Sequence, residues 1–479
     1  MSMQRFVFRS PIAASADAVF NWHGQPGAFE RLAPPWENVR VLEQTGGLED
    51  GRVVLAVRAG GLWTRWVAQH CDYKSGEQFC DVQTEGPFRH WRHCHCVIPD
   101  GPDRCFLEEN IEYALPYGRL GDLLGTSLVR KKLERMFRYR HAITANDLSL
   151  HQRYSGDRSM QIAITGSTGL VGAELVTFLT TGGHHVSRVV RNNPTGSDIA
   201  WNPTAGTIDA ERLEGLDAVV HLAGENIAAR RWNAEQKARI RDSRVQGTKL
   251  LCESLARLRR PPRVLVSASA IGFYGDRGDE ELTEASASGS GFLPEVCREW
   301  EASTAAAEKA GIRVVHLRFG IILSPKGGAL AQMLTPFRFG LGGRLGNGRQ
   351  WMSWIALDDA IGCIHHALAT ESLRGPVNAV GPKPVTNLEF TKTLGRVLAR
   401  PTIFPVPGFM ARLAFGEMAN DLLLASTRVL PKALLESGYQ FMYPDLEHAL
   451  RHLLGNCPTG NGNDSIKRST ILHEAGTSA

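Results

Sequence analysis

The pattern of apolar and polar positions changes twice along the chain. Over residues 1–145 it follows period two: the runs 6–10, 39–44, 52–58, 63–71, 77–84, 91–99 and 105–113 read as strands, separated by turns with glycine or acidic residues. An antiparallel meander is expected there. A short helix at 15–20 opens on a serine N-cap, and a long helix is expected over 120–139, where Leu120, Leu124, Leu128, Leu133 and Phe137 recur at helical spacing. Residues 146–160 are polar and aperiodic and read as a linker. Buried apolar runs then alternate with amphipathic segments: strands at 162–165, 185–190, 217–222, 263–267 and 313–317, helices at 170–180, 232–258 and 294–310. That alternation predicts parallel strands joined by right-handed crossovers, a Rossmann-type doubly wound α/β sheet.

Beyond residue 320 the pattern loosens into a smaller lobe, with helices expected at 356–369 and 387–399, a proline-punctuated break at 401–407 and a mainly helical stretch over 409–454. The expected organisation is a first domain over 1–145, a linker over 146–160, a nucleotide-binding domain with its substrate lobe over 161–405, a small helical domain over 406–455 and a disordered polar tail over 456–479.

Composition narrows the class of partner. The 479 residues carry a net charge of +5 with no basic run or basic–aromatic stripe, which argues against nucleic acid. The nine cysteines are odd in number and scattered, so no disulfide framework is expected and a reducing compartment is the simpler reading. No signal peptide and no membrane span are read, and a cytoplasmic protein is expected.

The chemistry begins at QIAITGSTGLVG, residues 161–172. A short strand stops at Gly166, glycines return at Gly169 and Gly172, and a helix begins. The first glycine permits the tight turn, the second lets backbone approach a pyrophosphate, and the third lets the helix lie close on the sheet with its N-terminus facing the anion. Gly166, Ser167, Thr168, Gly169, Leu170, Val171 and Gly172 are the expected cradle, with Leu222, Ala223, Gly224 and Ser267 on the neighbouring strand ends. The second strand ends in Arg191 where NAD enzymes place an acid, so the expected cofactor is NADP(H) in preference to NAD(H), a guanidinium being suited to a 2′-phosphate. In GGRLGNGRQWMSWI, residues 342–355, Arg344, Arg349, Trp351 and Trp354 are candidate substrate contacts, because glycines admit a ligand and indoles stack on flat groups. The run HWRHCHC, residues 90–96, puts His93 and His95 on one strand face and Cys94 and Cys96 on the other; no second ligand pair is evident, so no metal site is read.

GSTGLVG, HLAG and SASAIGFYG resemble the extended short-chain dehydrogenase/reductases. HLAGENI, Ser243 and Arg244 with Thr248, and GGRLGNGRQWMSWI followed by Asp358 are similar to an atypical "epimerase family protein" branch, sometimes tagged cell-division-inhibitor-like, over about residues 160–453. Residues 3–142 resemble the START/polyketide-cyclase-like helix-grip superfamily in pattern, which implies an apolar ligand for a cavity lined by some of Trp22, Trp36, Trp63, Trp66 and Trp91, unless these simply fill a core. In the larger family, catalysis rests on Ser/Thr, Tyr and Lys. Here Ser269 matches the serine, but the Tyr-x-x-x-Lys pair is missing, its expected places falling near Leu293 and Cys297. Tyr274, Glu301, Cys297 and Asp276 are alternative proton carriers, with Ser269 and Tyr274 the candidate catalytic pair. The resemblance implies an NADP(H)-dependent oxidoreductase or epimerase acting on a small or sugar-nucleotide substrate. The alternatives are a catalytically weak NADP(H)-binding sensor or scaffold and an apolar-ligand carrier regulated by its Rossmann part. It also implies a homodimer formed through the helices at 232–258 and 294–310.

Overall fold

The computed structural model describes residues 3–59, 61–116, 118–154 and 159–456. The first part comprises β1 (Gln4–Ile12), α1 (Ala16–His23), α2 (Ala28–Leu32), β2 (Val39–Thr45), β3 (Arg52–Ala59), β4 (Leu62–Lys74), β5 (Gln78–Glu85), β6 (His90–Pro99), β7 (Cys105–Ala114) and α3 (Gly118–Tyr154). Its seven strands form one antiparallel sheet in the order β1-β7-β6-β5-β4-β3-β2, as the alternation predicts. Leu133 and Phe137 on α3 are buried against this sheet, whereas Leu128 is exposed. The buried stripe continues through Val129, Leu133, Phe137 and His141 at spacings of four, and Leu128 lies one residue off it. The side chains of Leu120 and Leu124 fall outside the described set.

Two expectations change here. The stretch read as a linker is helical through Tyr154, because Leu148 and Leu150 are buried, the latter in the core of the following unit. Cys80 and Cys94 stand opposite each other on β5 and β6 and form a disulfide, where none was expected from scattered cysteines. Trp22 and Trp91 are buried in packed clusters, while Trp63 is half-exposed under Arg40.

The second part follows as β8 (Gln161–Thr165), α4 (Leu170–Thr181), β9 (His185–Val190), β10 (Ile199–Asn202), β11 (Thr207–Ile208), β12 (Ala218–His221), α5 (Ala234–Ala256), β13 (Val264–Ala270), β14 (Glu281–Leu282), α6 (Phe292–Ala302), α7 (Ala305–Lys309) and β15 (Arg313–Phe319). Then come β16 (Ile321–Leu323), α8 (Gly328–Arg338), β17 (Trp351–Met352), β18 (Trp354–Ala356), α9 (Leu357–Ala369), β19 (Gly375–Ala379), β20 (Val385–Thr386), α10 (Asn387–Leu398), α11 (Gly408–Phe415), β21 (Arg428–Val429), α12 (Lys432–Glu436) and α13 (Leu446–Leu454). The main sheet has the order β11-β10-β9-β8-β12-β13-β15-β19, parallel from β10 to β19. The strand order reverses at β8, the switch point where a doubly wound sheet opens a crevice at its carboxyl edge. The helix expected over 294–310 is broken into α6 and α7 at Ser303 and Thr304, where the Thr304 hydroxyl lies 2.9 Å from His316 Nε2. The stretch over 409–454 is less helical than expected, because β21 leaves the helical path to pair with β14. The tail from residue 457 lies outside the described residues.

One buried cation joins the two parts. Arg31 on α2 is 3% exposed and binds both Asp147 oxygens, from Nε at 2.9 Å and Nη2 at 2.6 Å. It also reaches Asp358 on α9 at 3.3 Å and Glu174 on α4 at 3.4 Å. Asp358 in turn meets His452 on α13 at 3.2 Å.

Candidate functional site

The glycine loop forms the turn that its spacing predicts. Gly166 has φ +67°, and a Cβ there would stand 2.8–2.9 Å from the Leu222 and Ala223 backbone. A Cβ on Gly172 would stand 2.2 Å from the Gly166 carbonyl oxygen, so α4 can only start this close to the strand with glycine in place. Leu222 and Ala223 leave β12 with both amides donating to Thr165 Oγ1, at 3.1 and 3.2 Å, which fixes the neighbouring strand end against the loop. His221 lies between the Thr165 and Thr248 hydroxyls, and burial pushes its pKa down to about 4, so the ring is neutral at physiological pH. Ser167 is buried in the cradle and its Oγ has no hydrogen-bond partner among the described residues. A hydroxyl in that condition, at a helix N-terminus without a side-chain cap, fits an anionic phosphate as acceptor. Arg191, at the end of β9, lines a hollow of about 320 Å³ with Trp201, Asn202 and Asp209.

Two strands from β8, the end of β13 carries a continuous polar chain. Ser269 Oγ donates to Glu301 Oε1 at 2.7 Å. Arg318, on β15, grips Glu301 through Nε and Nη2, both at 2.8 Å, a bidentate pair that fixes the carboxylate plane. Arg318 Nη1 donates to the Tyr274 hydroxyl at 3.0 Å, and that hydroxyl donates to Asn378 Oδ1 at 2.7 Å. Tyr274 is fully buried, and burial raises its pKa above the ordinary phenol value. The structure therefore corrects its reading as a catalytic residue: its hydroxyl is committed on both sides and its ring is enclosed. Arg318 and Asn378 were missed in the sequence. The signal for Arg318 is a charge near the carboxyl end of the largely apolar β15, whose other arginine, Arg313, stands at its start.

Leu293 and Cys297 lie beside Gly272, where a Cβ would stand 3.4 Å from Leu293 Cβ and 3.9 Å from Cys297 Sγ. Burial pushes the Cys297 thiol up to about 12, so it is neither a thiolate nor a proton donor at physiological pH. Arg244 reaches the Glu225 and Ile240 carbonyls and stacks 5.0 Å over Trp300. Ser267 is buried within β13.

The glycine-rich segment at 342–355 is not one ligand-facing surface. Trp354 is fully buried in the core of the smaller lobe, and its Nε1 donates to the Lys383 carbonyl at 3.1 Å. This overturns its reading as a substrate contact. Trp351 lies beneath the Arg428 guanidinium and donates to Asp279 at 2.8 Å, while Arg344 and Arg349 are exposed. Among the described residues, no helix is long and apolar enough to cross a membrane.

With this geometry in place, comparison with known proteins is specific. Residues 162–380 match the NAD dependent epimerase/dehydratase family, and residues 406–453 match a domain of unknown function, DUF1731. Epimerase family protein Mb2239 of Mycobacterium bovis is 44% identical over 290 residues, 60% of this chain and 96% of that protein. The human epimerase family protein SDR39U1 is 35% identical over 62% of this chain and its own full length. A crystal structure of human SDR39U1 with NADPH is similar at a TM-score of 0.58, with 34% identity, covering 62% of this chain and all of that one. A solved nucleoside-diphosphate sugar epimerase from Corynebacterium glutamicum is similar over 94% of this chain and 90% of that one, with TM-score 0.78 and 36% identity, so this likeness extends into the N-terminal part. The glycine cradle, the parallel sheet above it and these similarities place the chain in the NAD(P)-dependent epimerase/dehydratase family, among the epimerase family proteins.

Proposed function

We propose that the protein is an NADP(H)-dependent oxidoreductase or epimerase acting on a small or sugar-nucleotide substrate, with Ser269, Glu301 and Arg318 in place of the missing Tyr-x-x-x-Lys pair. The observation that carries this reading is the Ser269–Glu301–Arg318 chain at the carboxyl edge of the sheet that holds the glycine cradle. Residues 166–172 would hold the pyrophosphate and Arg191 the 2′-phosphate. The cofactor, when bound, supplies or accepts a hydride at a substrate carbon. Ser269 Oγ would take the substrate hydroxyl proton while its own proton moves to Glu301 Oε1, and the reverse sequence would protonate a carbonyl. Arg318 keeps that carboxylate aimed at Ser269 throughout.

A catalytically weak NADP(H)-binding sensor is the second reading, favoured by the inert pair Leu293 and Cys297 where acid–base groups are expected. NADPH and NADH titrations followed by nicotinamide fluorescence, with a carbonyl substrate panel scored for NADPH oxidation, separate the two. Turnover reduced about 10²-fold or more in Ser269→Ala is expected for the enzyme; tight NADPH binding without turnover on any substrate selects the sensor. Equal affinity for NADH would remove the role given to Arg191, as would unchanged NADPH affinity in Arg191→Ala.

For the N-terminal part the proposed reading is a START-like helix-grip domain, supported by the sheet order and by α3 lying across it. Native mass spectrometry tests whether an apolar ligand co-purifies; a ligand-free domain assigns its aromatics to packing. A cytoplasmic homodimer using the outer faces of α5 and α6 completes the proposal, checked by light scattering.

A further inference from the structure

The interior of the N-terminal part is not purely apolar. On β7 the buried face runs Leu107, Glu109, Ile111, Tyr113, so a carboxylate sits in the core row. Its register partner on β6 is His95, and His93 two residues away faces Asp81 on β5. His93 uses both ring nitrogens: Nδ1 is 3.1 Å from Asp81 Oδ2, and Nε2 is 2.8 Å from Glu109 Oε2. His141 of α3 closes the group, its Nε2 3.1 Å from Glu109 Oε1. Phe79 stacks on His95 at 4.3 Å, and Phe137 packs on the edge of His93 at 5.3 Å. The group thus lies between two apolar clusters.

We propose that Asp81, His93 and His95 form a site for a divalent transition-metal ion, with Glu109 as the carboxylate behind both imidazoles, hydrogen-bonded to that of His93. One ligand atom from each of the three lies within 4.8 Å of the others. Two imidazoles and one carboxylate with further positions open is a donor set that suits zinc, iron(II), cobalt(II) or nickel(II) rather than magnesium or calcium. A ligating histidine ordinarily presents its second nitrogen to a carboxylate, and Glu109 occupies that place for His93 at 2.8 Å and for His95 Nδ1 at 2.8 Å. The second contact is not aligned as a hydrogen bond, leaving a buried ring nitrogen without a properly directed partner. His141 Nδ1 is likewise buried with no hydrogen-bond partner. Glu109 is buried and Asp81 partly so, and a divalent ion would take the place of the direct His93 Nδ1–Asp81 contact, with both groups becoming its ligands. In sequence the pattern is incomplete, since HWRHCHC offers one pair; β5 and β7 bring the acids.

The test uses the full chain, stripped with chelator and titrated with Co²⁺ while the visible d–d bands are recorded, alongside metal analysis of the protein as purified. About one ion per chain is expected, with d–d bands and no sulfur-to-cobalt charge transfer. Asp81→Asn and His95→Ala should remove the bands, and Glu109→Gln should weaken binding about 10–100-fold. The exposed His185→Ala variant should leave it unchanged. Circular dichroism on each variant separates lost binding from lost fold, and the near-isosteric Asp81→Asn and Glu109→Gln keep the test meaningful if His95→Ala unfolds. Binding well below one ion per chain, a thiolate charge-transfer band, or bands that survive in folded Asp81→Asn would overturn the proposal.

Discussion

The two halves of the molecule keep their polar groups in different places. In the second half, β8, β12 and β13 each carry a buried apolar run, Ile162, Ala163 and Ile164, then Ala218, Val219 and Val220, then Val264, Leu265 and Val266. Thr165, His221, Ser269, Arg318 and Asn378 sit at or near the carboxyl ends of their strands. In the first half, Asp81, His93, His95 and Glu109 lie within the strands, on the face covered by α3. A parallel sheet is covered by helices on both faces, so its strand centres must be apolar and its chemistry moves to the edge. An antiparallel sheet covered on one face encloses an interior, and there chemistry can sit in the middle of strands.

The joint between the halves is the strongest place to break that comparison. Arg31→Ala leaves Asp147 buried without its cation and Asp358 with only His452, and should cost about 3–5 kcal/mol in urea unfolding. A variant as stable as the wild type would show that the joint carries no load. Next, Gly172→Val places carbon against the Gly166 carbonyl and should weaken NADPH binding about a hundredfold, about 2.8 kcal/mol, with the N-terminal half untouched.

The joint also has a pH signature. Burial pushes the Asp358 carboxyl up, but the His452 hydrogen bond and the Arg31 charge outweigh it and hold the pKa at about 2. A depressed carboxyl contributes stability above its unfolded pKa near 3.8 and loses it as pH falls toward 2. The stability gap between wild type and Asp358→Asn should therefore shrink by roughly 2 kcal/mol between pH 5 and 2, read by thermal melts. A gap that does not change with pH would remove the ion pair from the account. The smallest effect is at Cys297, where the protonated, buried thiol should resist iodoacetamide in the native protein at pH 7.5. Rapid labelling there would reopen the case for a reactive residue in the Tyr–Lys position.

Local order fixes what a sequence can tell. The glycine turn was legible because all its parts lie within twelve residues and glycine spacing has a direct steric meaning. The pairing of Ser269 with Glu301 spans 32 positions, Glu301 with Arg318 spans 17, and Tyr274 with Asn378 spans 104, so the proton chain emerges only when β13, α6, β15 and β19 assemble. Trp354 shows the opposite failure. Its neighbours suggested a ligand platform, and only the packing of the smaller lobe decided that it is core. The extension of α3 to Tyr154 follows the same rule: its polar sequence carries little helical signal, and Leu150 joins a core whose members include Ile355, Leu357 and Ile361, 200 and more residues away.

By itself, then, the sequence determined the parallel sheet, the antiparallel meander before it, the glycine cradle and the absence of a Tyr–Lys pair, each a property of short-range periodicity or spacing. The tertiary structure alone decided which side chains face one another: Arg318 beneath Glu301, Arg31 among three carboxylates, and Asp81 with Glu109 around the histidines of HWRHCHC. Burial and contact between distant strands set charge and hydrogen bonding, and no local pattern encodes them.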